Sequence, residues 1–324
     1  MTRPDDQTRQ QPEAMMPAKT LLDETAQGVF TIAATPFLPD GALDIESLDS
    51  MVDFYEARGA TGLTILGIMG EAGKLSAKES GIVIDRVTAR ASVPVVVGVS
   101  APGLAGIKAM ADTAMERGAA GVMVAPPATL RTDDQIIGYF QMVAEVLGKT
   151  PWVLQDFPLV TEVQMTPRVI RTIMDSCPTC VMLKHEDWPG LEKISTLRRQ
   201  EAEGARRISI LCGNGGMFLL EEMLRGADGA MTGFAYPEMM AEVVRLTKAE
   251  DEGRARDVFD AYLPLMRYES QPGLGLAIRK HILAKRGAIA HATVRRPGTV
   301  LSAATLEEIE TLIARQEARL AALG

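Results

Sequence analysis

Aromatic side chains make up only 5% of the 324 residues, and cysteine and histidine occur three times each. So few rings offer little on which the bases of a single strand could stack. The formal net charge of −8 at pH 7 repels a polyanion, so nucleic acid is excluded as a partner. A small anionic substrate is not, because a local site can oppose the global charge. Cys177, Cys180 and Cys212 are too few for a disulfide framework in a chain this long. Cys177-Pro-Thr-Cys180 has the spacing of a redox pair or half a zinc site. Zinc would need two further ligands, and His185, His281 and His291 are the only imidazoles, so thiols kept reduced in a cytosol are the better reading. No metal and no cofactor is expected. A run of about 18 apolar residues is also lacking, which excludes a membrane-spanning helix. The polar start Met1-Thr-Arg-Pro-Asp-Asp lacks the apolar stretch of a signal peptide; it reads as a flexible arm over residues 1–25 of a cytoplasmic protein.

What the chain does contain is a recurring unit. Short apolar, β-branched runs begin at Val29, Gly62, Val95, Gly121, Trp152, Val181, Ile208 and Gly229. Their starts lie about 21 to 33 residues apart, the length a strand–helix–strand crossover needs. Continuous rather than alternating apolar runs suit strands buried on both faces of a parallel sheet. Between them, apolar residues recur three and four apart, as in Asp44-Ile-Glu-Ser-Leu-Asp-Ser-Met-Val-Asp-Phe-Tyr, where Asp44 is placed to cap a helix. Arg58-Gly-Ala-Thr-Gly62, Arg117-Gly-Ala-Ala-Gly121 and Arg225-Gly-Ala-Asp-Gly229 are near-copies of one joint, a helix-ending glycine followed by a tight turn into a strand. Eight such units predict a (β/α)8 TIM barrel over residues 26–236, with a doubly wound open sheet as the alternative. From residue 237 to 324 the pattern is helical, broken near Ser270-Gln-Pro-Gly273 and Arg295-Arg-Pro-Gly298. It is read as a C-terminal helical extension of the same domain.

Barrel enzymes carry their sites at the carboxyl ends of the strands. That rule selects Gly67-Ile-Met-Gly-Glu71, Gln155-Asp-Phe-Pro158, Lys184-His-Glu186, Gly213-Asn-Gly-Gly216 and the end of the run through Met231. Lys184 closes the apolar run Val181-Met-Leu. Burial there disfavours its ammonium form and frees a nucleophilic amine, the group that imine formation with a ketone requires. The competing reading is a lysine snorkelling to solvent. Alternation along a strand puts Glu186 on the face of Lys184 and turns His185 away. Glu71 could be a proton carrier or a helix cap, and the glycines around residue 213 could present backbone N–H groups to an anion.

Together these pieces resemble the dihydrodipicolinate synthase/N-acetylneuraminate lyase family of class I aldolases and hydro-lyases, from about Gly28 to Pro297. The resemblance rests on Gly67-Ile-Met-Gly-Glu71, Val181-Met-Leu-Lys184, Gly213 and Gly229-Ala-Met-Thr-Gly-Phe-Ala-Tyr-Pro237. It implies a Schiff-base lyase acting on a small 2-oxo acid, with Lys184 as the imine-forming residue, and a homodimer or homotetramer. The departures are specific. Ile68 and Met69 stand where the family carries hydroxyl residues, and Gln155 stands for the tyrosine that relays protons. Ala128 and Thr129 follow the Pro-Pro after strand four, where a tyrosine is usual. Leu159, Val160 and Thr161 occupy the stretch where an arginine would take a substrate carboxylate. Gln155-Asp-Phe-Pro158, Lys184-x-Glu186 with Pro189-Gly190, and Tyr262-Leu-Pro-Leu265 resemble the L-2-keto-3-deoxyarabonate dehydratase branch.

These readings give a hydro-lyase for a 2-keto-3-deoxy sugar acid. Lys184, Gln155, Glu71 and Glu186 are its catalytic candidates, and Ile68, Met69, Gly70, Gly213 and Met231 its substrate contacts. Backbone N–H groups around Met69 and Gly70 would hold the carboxylate. A pyruvate-dependent aldolase and a non-catalytic oxo-acid-binding barrel are the alternatives. One tension is built in: an ionised Glu186 beside Lys184 favours the ammonium and opposes amine activation.

Overall fold

A computed structural model of the chain describes residues 20–188 and 190–324. Eight parallel strands close on themselves in chain order: β1 (Gly28–Ile32), β2 (Gly62–Ile65), β3 (Val95–Gly98), β4 (Gly121–Val124), β5 (Trp152–Asp156), β6 (Cys180–His185), β7 (Ser209–Cys212) and β8 (Gly229–Ala230). The expected barrel is therefore observed and the open sheet is not. Its seam is the β1–β8 pair, where Gly28 faces Gly229. A Cβ on Gly229 would lie 1.8 Å from the Gly28 carbonyl oxygen, so only glycine lets the two backbones close the ring there.

The joints behave as their sequence predicts. Gly59, Gly118 and Gly226 have φ of +85°, +86° and +94°, the left-handed conformation that ends a helix and turns the chain into the next strand. Asp44 caps the first helix, Ile45–Glu56, accepting from the Ser47 amide at 3.1 Å. Buried side chains divide into two layers. Phe30, Ile32, Val96, Met123, Val153, Met182, Leu211 and Met231 fill the barrel interior. The larger cluster packs the outer strand faces against the surrounding helices.

Two boundaries move. The stretch expected as an arm ends before residue 25. Leu22 is buried in the interior cluster, and its amide donates to the Ala120 carbonyl at 2.8 Å, so it closes the amino-terminal mouth of the barrel. The part of that arm over residues 1–19, and Pro189 of the Pro189-Gly190 pair, lie outside the described residues. At the other end, the helix Pro237–Lys248 packs on β1 and β8 and is the eighth helix of the barrel, not the first of the extension. The extension proper is Glu252–Glu269, Gly275–Lys285 and Ala303–Leu323, separated near residues 270–274 and 286–302, where the turn sequences predicted breaks. Among the described residues no helix is long and apolar enough to cross a membrane.

Candidate active site

Strand pairing brings the first two functional residues together. Gln155 on β5 is the registered neighbour of Lys184 on β6. Both are nearly sequestered, at 3% and 5% exposure. Glu186 lies two residues beyond Lys184, and the period-two alternation returns it to the same inward face, also at 5%. Its Oε1 lies 2.7 Å from Lys184 Nζ and accepts from Gln155 Nε2 at 2.7 Å. One carboxylate oxygen is thus shared by the candidate nucleophile and Gln155. The apolar slot expected around Lys184 is instead half of a buried ion pair, which is the arrangement the sequence left in tension.

The glycine at the end of β7 makes room for this carboxylate. A Cβ on Gly213 would fall 2.2 Å from Glu186 Cγ and 2.5 Å from its Oε2. Asn214, which follows, donates from Nδ2 to the Glu186 carbonyl at 2.8 Å, while its amide lies 3.5 Å from Oε2. Gly213 therefore serves the site by seating Glu186, and its own amide is spent on the His185 carbonyl at 2.8 Å.

His185 turns away from the interior, as alternation predicts. It is fully buried on the outer side of β6, with Nε2 3.1 Å from the Gly190 carbonyl and Nδ1 3.7 Å from Asp156 Oδ2. Asp156 pairs with Lys193 at 2.6 Å, and Lys193 with Asp187 at 2.9 Å. Glu222 joins this outer layer, and burial pushes its carboxyl up to about 7.

The turn after β2 is the remaining wall. Gly70 N–H donates to the Gly67 carbonyl at 3.0 Å and Glu71 N–H to the Ile68 carbonyl at 3.0 Å. The Gly70 amide, expected to face a substrate, is used inside the turn. The amides of Ile68 and Met69 open the same short 3₁₀ turn and have no partner within it. The Met69 side chain packs on the interior cluster, whereas that of Ile68 is half exposed, leaving only its backbone as a contact. Met231 lies fully buried in the interior cluster.

Glu71 is not brought to Lys184. Its Oε1 lies 2.5 Å from Lys280 Nζ, and its Oε2 lies 2.8 Å from Lys74 Nζ and accepts from the Arg295 amide at 3.0 Å. Both oxygens are thus held by these donors, and the carboxylate anchors the turn to the extension. Sequence reasoning missed Lys280, which is 209 residues away, and Thr35, whose hydroxyl donates to the Gly70 carbonyl at 2.6 Å. It also missed Thr64, whose buried hydroxyl has no partner among the described residues. Thr64 lies on β2 between Leu63 and Ile65 of the outer cluster, so it faces the barrel interior. An unpaired polar residue inside an otherwise apolar strand was the available signal.

All three cysteines are free and buried, and burial pushes their thiols up. Among the described residues no group of three or more His, Cys, Asp or Glu is placed to hold a metal.

Comparisons with known proteins bear on the family and the fold. The model of the dihydrodipicolinate synthetase family matches residues 25–316. A 4-hydroxy-tetrahydrodipicolinate synthase of Sorangium cellulosum is 31% identical over 300 residues, covering 90% of this chain and 96% of that protein. An L-2-keto-3-deoxyarabonate dehydratase of Azospirillum brasilense is 28% identical over 300 residues, covering 89% and 94%. A crystal structure described as dihydrodipicolinate synthase from Rhodopseudomonas palustris superposes with a TM-score of 0.90 at 52% identity, covering 92% of this chain and all of that one. The chain belongs to the dihydrodipicolinate synthetase family of Schiff-base lyases.

Proposed function

We propose that the protein is a hydro-lyase that removes water from a 2-keto-3-deoxy sugar acid of the L-2-keto-3-deoxyarabonate kind, through an iminium on Lys184. The observation that carries this reading is the sharing of Glu186 Oε1 between Lys184 Nζ and Gln155 Nε2, both at 2.7 Å. In this scheme Glu186 takes the ammonium proton as the amine adds to C2, and returns it to the carbinolamine hydroxyl, which leaves as water. The tension between ion pair and nucleophile is resolved by that transfer. The iminium draws electrons from C3, and the Glu186 carboxylate removes a C3 proton to give the enamine. The enamine then expels the C4 hydroxyl, which leaves as water with the proton Glu186 holds. Hydrolysis of the remaining imine frees Lys184, so one molecule of water is lost overall.

Gln155 holds the carboxylate in line by donation and supplies no proton. The substrate carboxylate rests on the amides of Ile68 and Met69, which stands for the missing arginine. Likeness to the Azospirillum brasilense dehydratase supports the substrate class, and an assembly of two or four copies belongs to the same proposal.

The test is to incubate the purified protein with a panel of 3-deoxy-2-oxo acids and follow product mass alongside a lactate dehydrogenase coupling. The expected product keeps every carbon and is lighter by one water. Release of pyruvate would make the enzyme an aldolase, because both reactions share the enamine and differ in the bond broken beyond C3. Absence of a borohydride-reducible adduct on Lys184 with any oxo acid would favour a binding barrel instead.

A further inference from the structure

We propose that Lys280 is a positioning residue that acts through Glu71 to set the turn on which the substrate carboxylate rests. The inference builds on the Schiff-base reading above. Lys280 lies on the helix Gly275–Lys285 of the extension and is fully buried, an unusual place for a lysine. Its ammonium has a complete set of partners: Glu71 Oε1 at 2.5 Å, the Thr293 carbonyl at 2.8 Å and the face of Phe37 at 4.5 Å. Burial lowers its pKa from the ordinary lysine value, and the Glu71 carboxylate opposes that. Lys74 and the Arg295 amide meet the other Glu71 oxygen, and Arg295 is itself paired with Glu79.

The geometry says what this cluster constrains. Glu71 has φ +55°, in the left-handed region that a glutamate adopts at a cost, so its side-chain partners hold the backbone there. Its amide closes the turn by donating to the Ile68 carbonyl, and Thr35 fixes the Gly70 carbonyl from the other side. The amides of Ile68 and Met69, which have no partner within the turn, are therefore aimed by a turn whose far end is tied to Lys280. The neighbouring cation Arg279 serves a different loop. It pairs with buried Glu269 at 2.5 Å, and Glu269 accepts from the Ala235 amide after β8 at 3.2 Å.

A plain structural role would weaken every ketone equally, and this separates the two accounts. Imine formation on Lys184 is read by borohydride trapping and intact mass, with pyruvate and with methyl pyruvate, which has the same ketone without the charged carboxylate. In Lys280→Met the half-saturating pyruvate concentration should rise about tenfold or more, while methyl pyruvate stays within about twofold. Lys280→Arg should restore part of the pyruvate response. Should Lys280→Met not fold, Glu71→Gln is read in the same way and should show the same pyruvate-selective rise. Equal shifts with both ketones, or no shift with pyruvate, overturn the inference while leaving the Schiff base intact. A wild-type protein that gives no adduct with either ketone takes both readings down.

Discussion

Glu186 occupies the space that a side chain at position 213 would need: a Cβ on Gly213 would lie 2.2 Å from Glu186 Cγ, well inside contact distance. The glycine thus keeps a carboxylate against Lys184 and Gln155, an arrangement without a counterpart in the turn glycines at the helix ends. Gly213→Ala should displace Glu186 and lower kcat by about a hundredfold, the scale of a lost general acid–base group. The Lys184 adduct with pyruvate should form more slowly and still be trapped by borohydride at long incubation. Full activity in this variant would show that Glu186 is not needed where it lies.

Replacing the carboxylate directly gives a cleaner reading of its task. Glu186→Gln keeps the size of the side chain and removes its basicity. Exchange of the C3 hydrogens of pyruvate with deuterated water, followed by proton NMR, should slow by about 10² to 10⁴-fold; the adduct should form more slowly, because Glu186 also takes the ammonium proton, and still be trapped at long incubation. Gln155→Leu removes a donor to Glu186 Oε1 at 2.7 Å and should slow the same exchange by about tenfold. Unchanged exchange in Glu186→Gln would move the proton-carrier role elsewhere, and Thr64 with its unpaired buried hydroxyl would be next to test.

The barrel was legible because its signals are local. A two-sided buried strand must be continuously apolar, and a helix that turns straight into a strand wants a glycine at its end. Both marks lie within a few residues, and all eight strands fall on the runs that sequence selected. Lys184 and Glu186 were legible for the same reason, two residues apart on one strand. Glu71 was not, because its meaning lies in Lys280 and Arg295, contributed by the extension more than 200 residues later. Nor was Leu22, one of two adjacent leucines of which the other, Leu21, is exposed. Its partner is the Ala120 carbonyl at the start of β4, and no periodicity announces it.

Leu22 gives a prediction about stability rather than chemistry. Its side chain belongs to the interior cluster and lies beside Gly121 at the amino-terminal end of β4. Leu22→Ala should destabilise the fold by about 2 to 5 kcal/mol, read as a shift of the urea midpoint without change in slope. Activity per folded molecule should be preserved. A midpoint equal to that of the parent would mean the residue is not packed as described.

The outer layer behind β6 predicts how stability depends on pH. Glu222, on the helix Leu219–Leu224, is 5% exposed, and its Oε2 has no partner among the described residues. Burial raises its pKa from 4.5 to about 7, against the opposing influence of His185 and a hydrogen bond with Cys212. In the folded chain the carboxyl therefore keeps its proton up to near neutrality, whereas in the unfolded chain it has already lost it. Between those two values the unfolded state binds fewer protons. The contribution of Glu222 is thus fully present below 4.5 and is lost as pH rises toward about 7, at about 1.4 kcal/mol per pH unit. Glu222→Gln remains neutral in both states and removes that slope. Urea unfolding of both proteins from about pH 5 to about pH 8 should show the variant gaining on the parent by that amount per unit, then levelling off above about 7. A difference that is flat across the whole range would mean that burial does not shift this carboxyl in the folded protein.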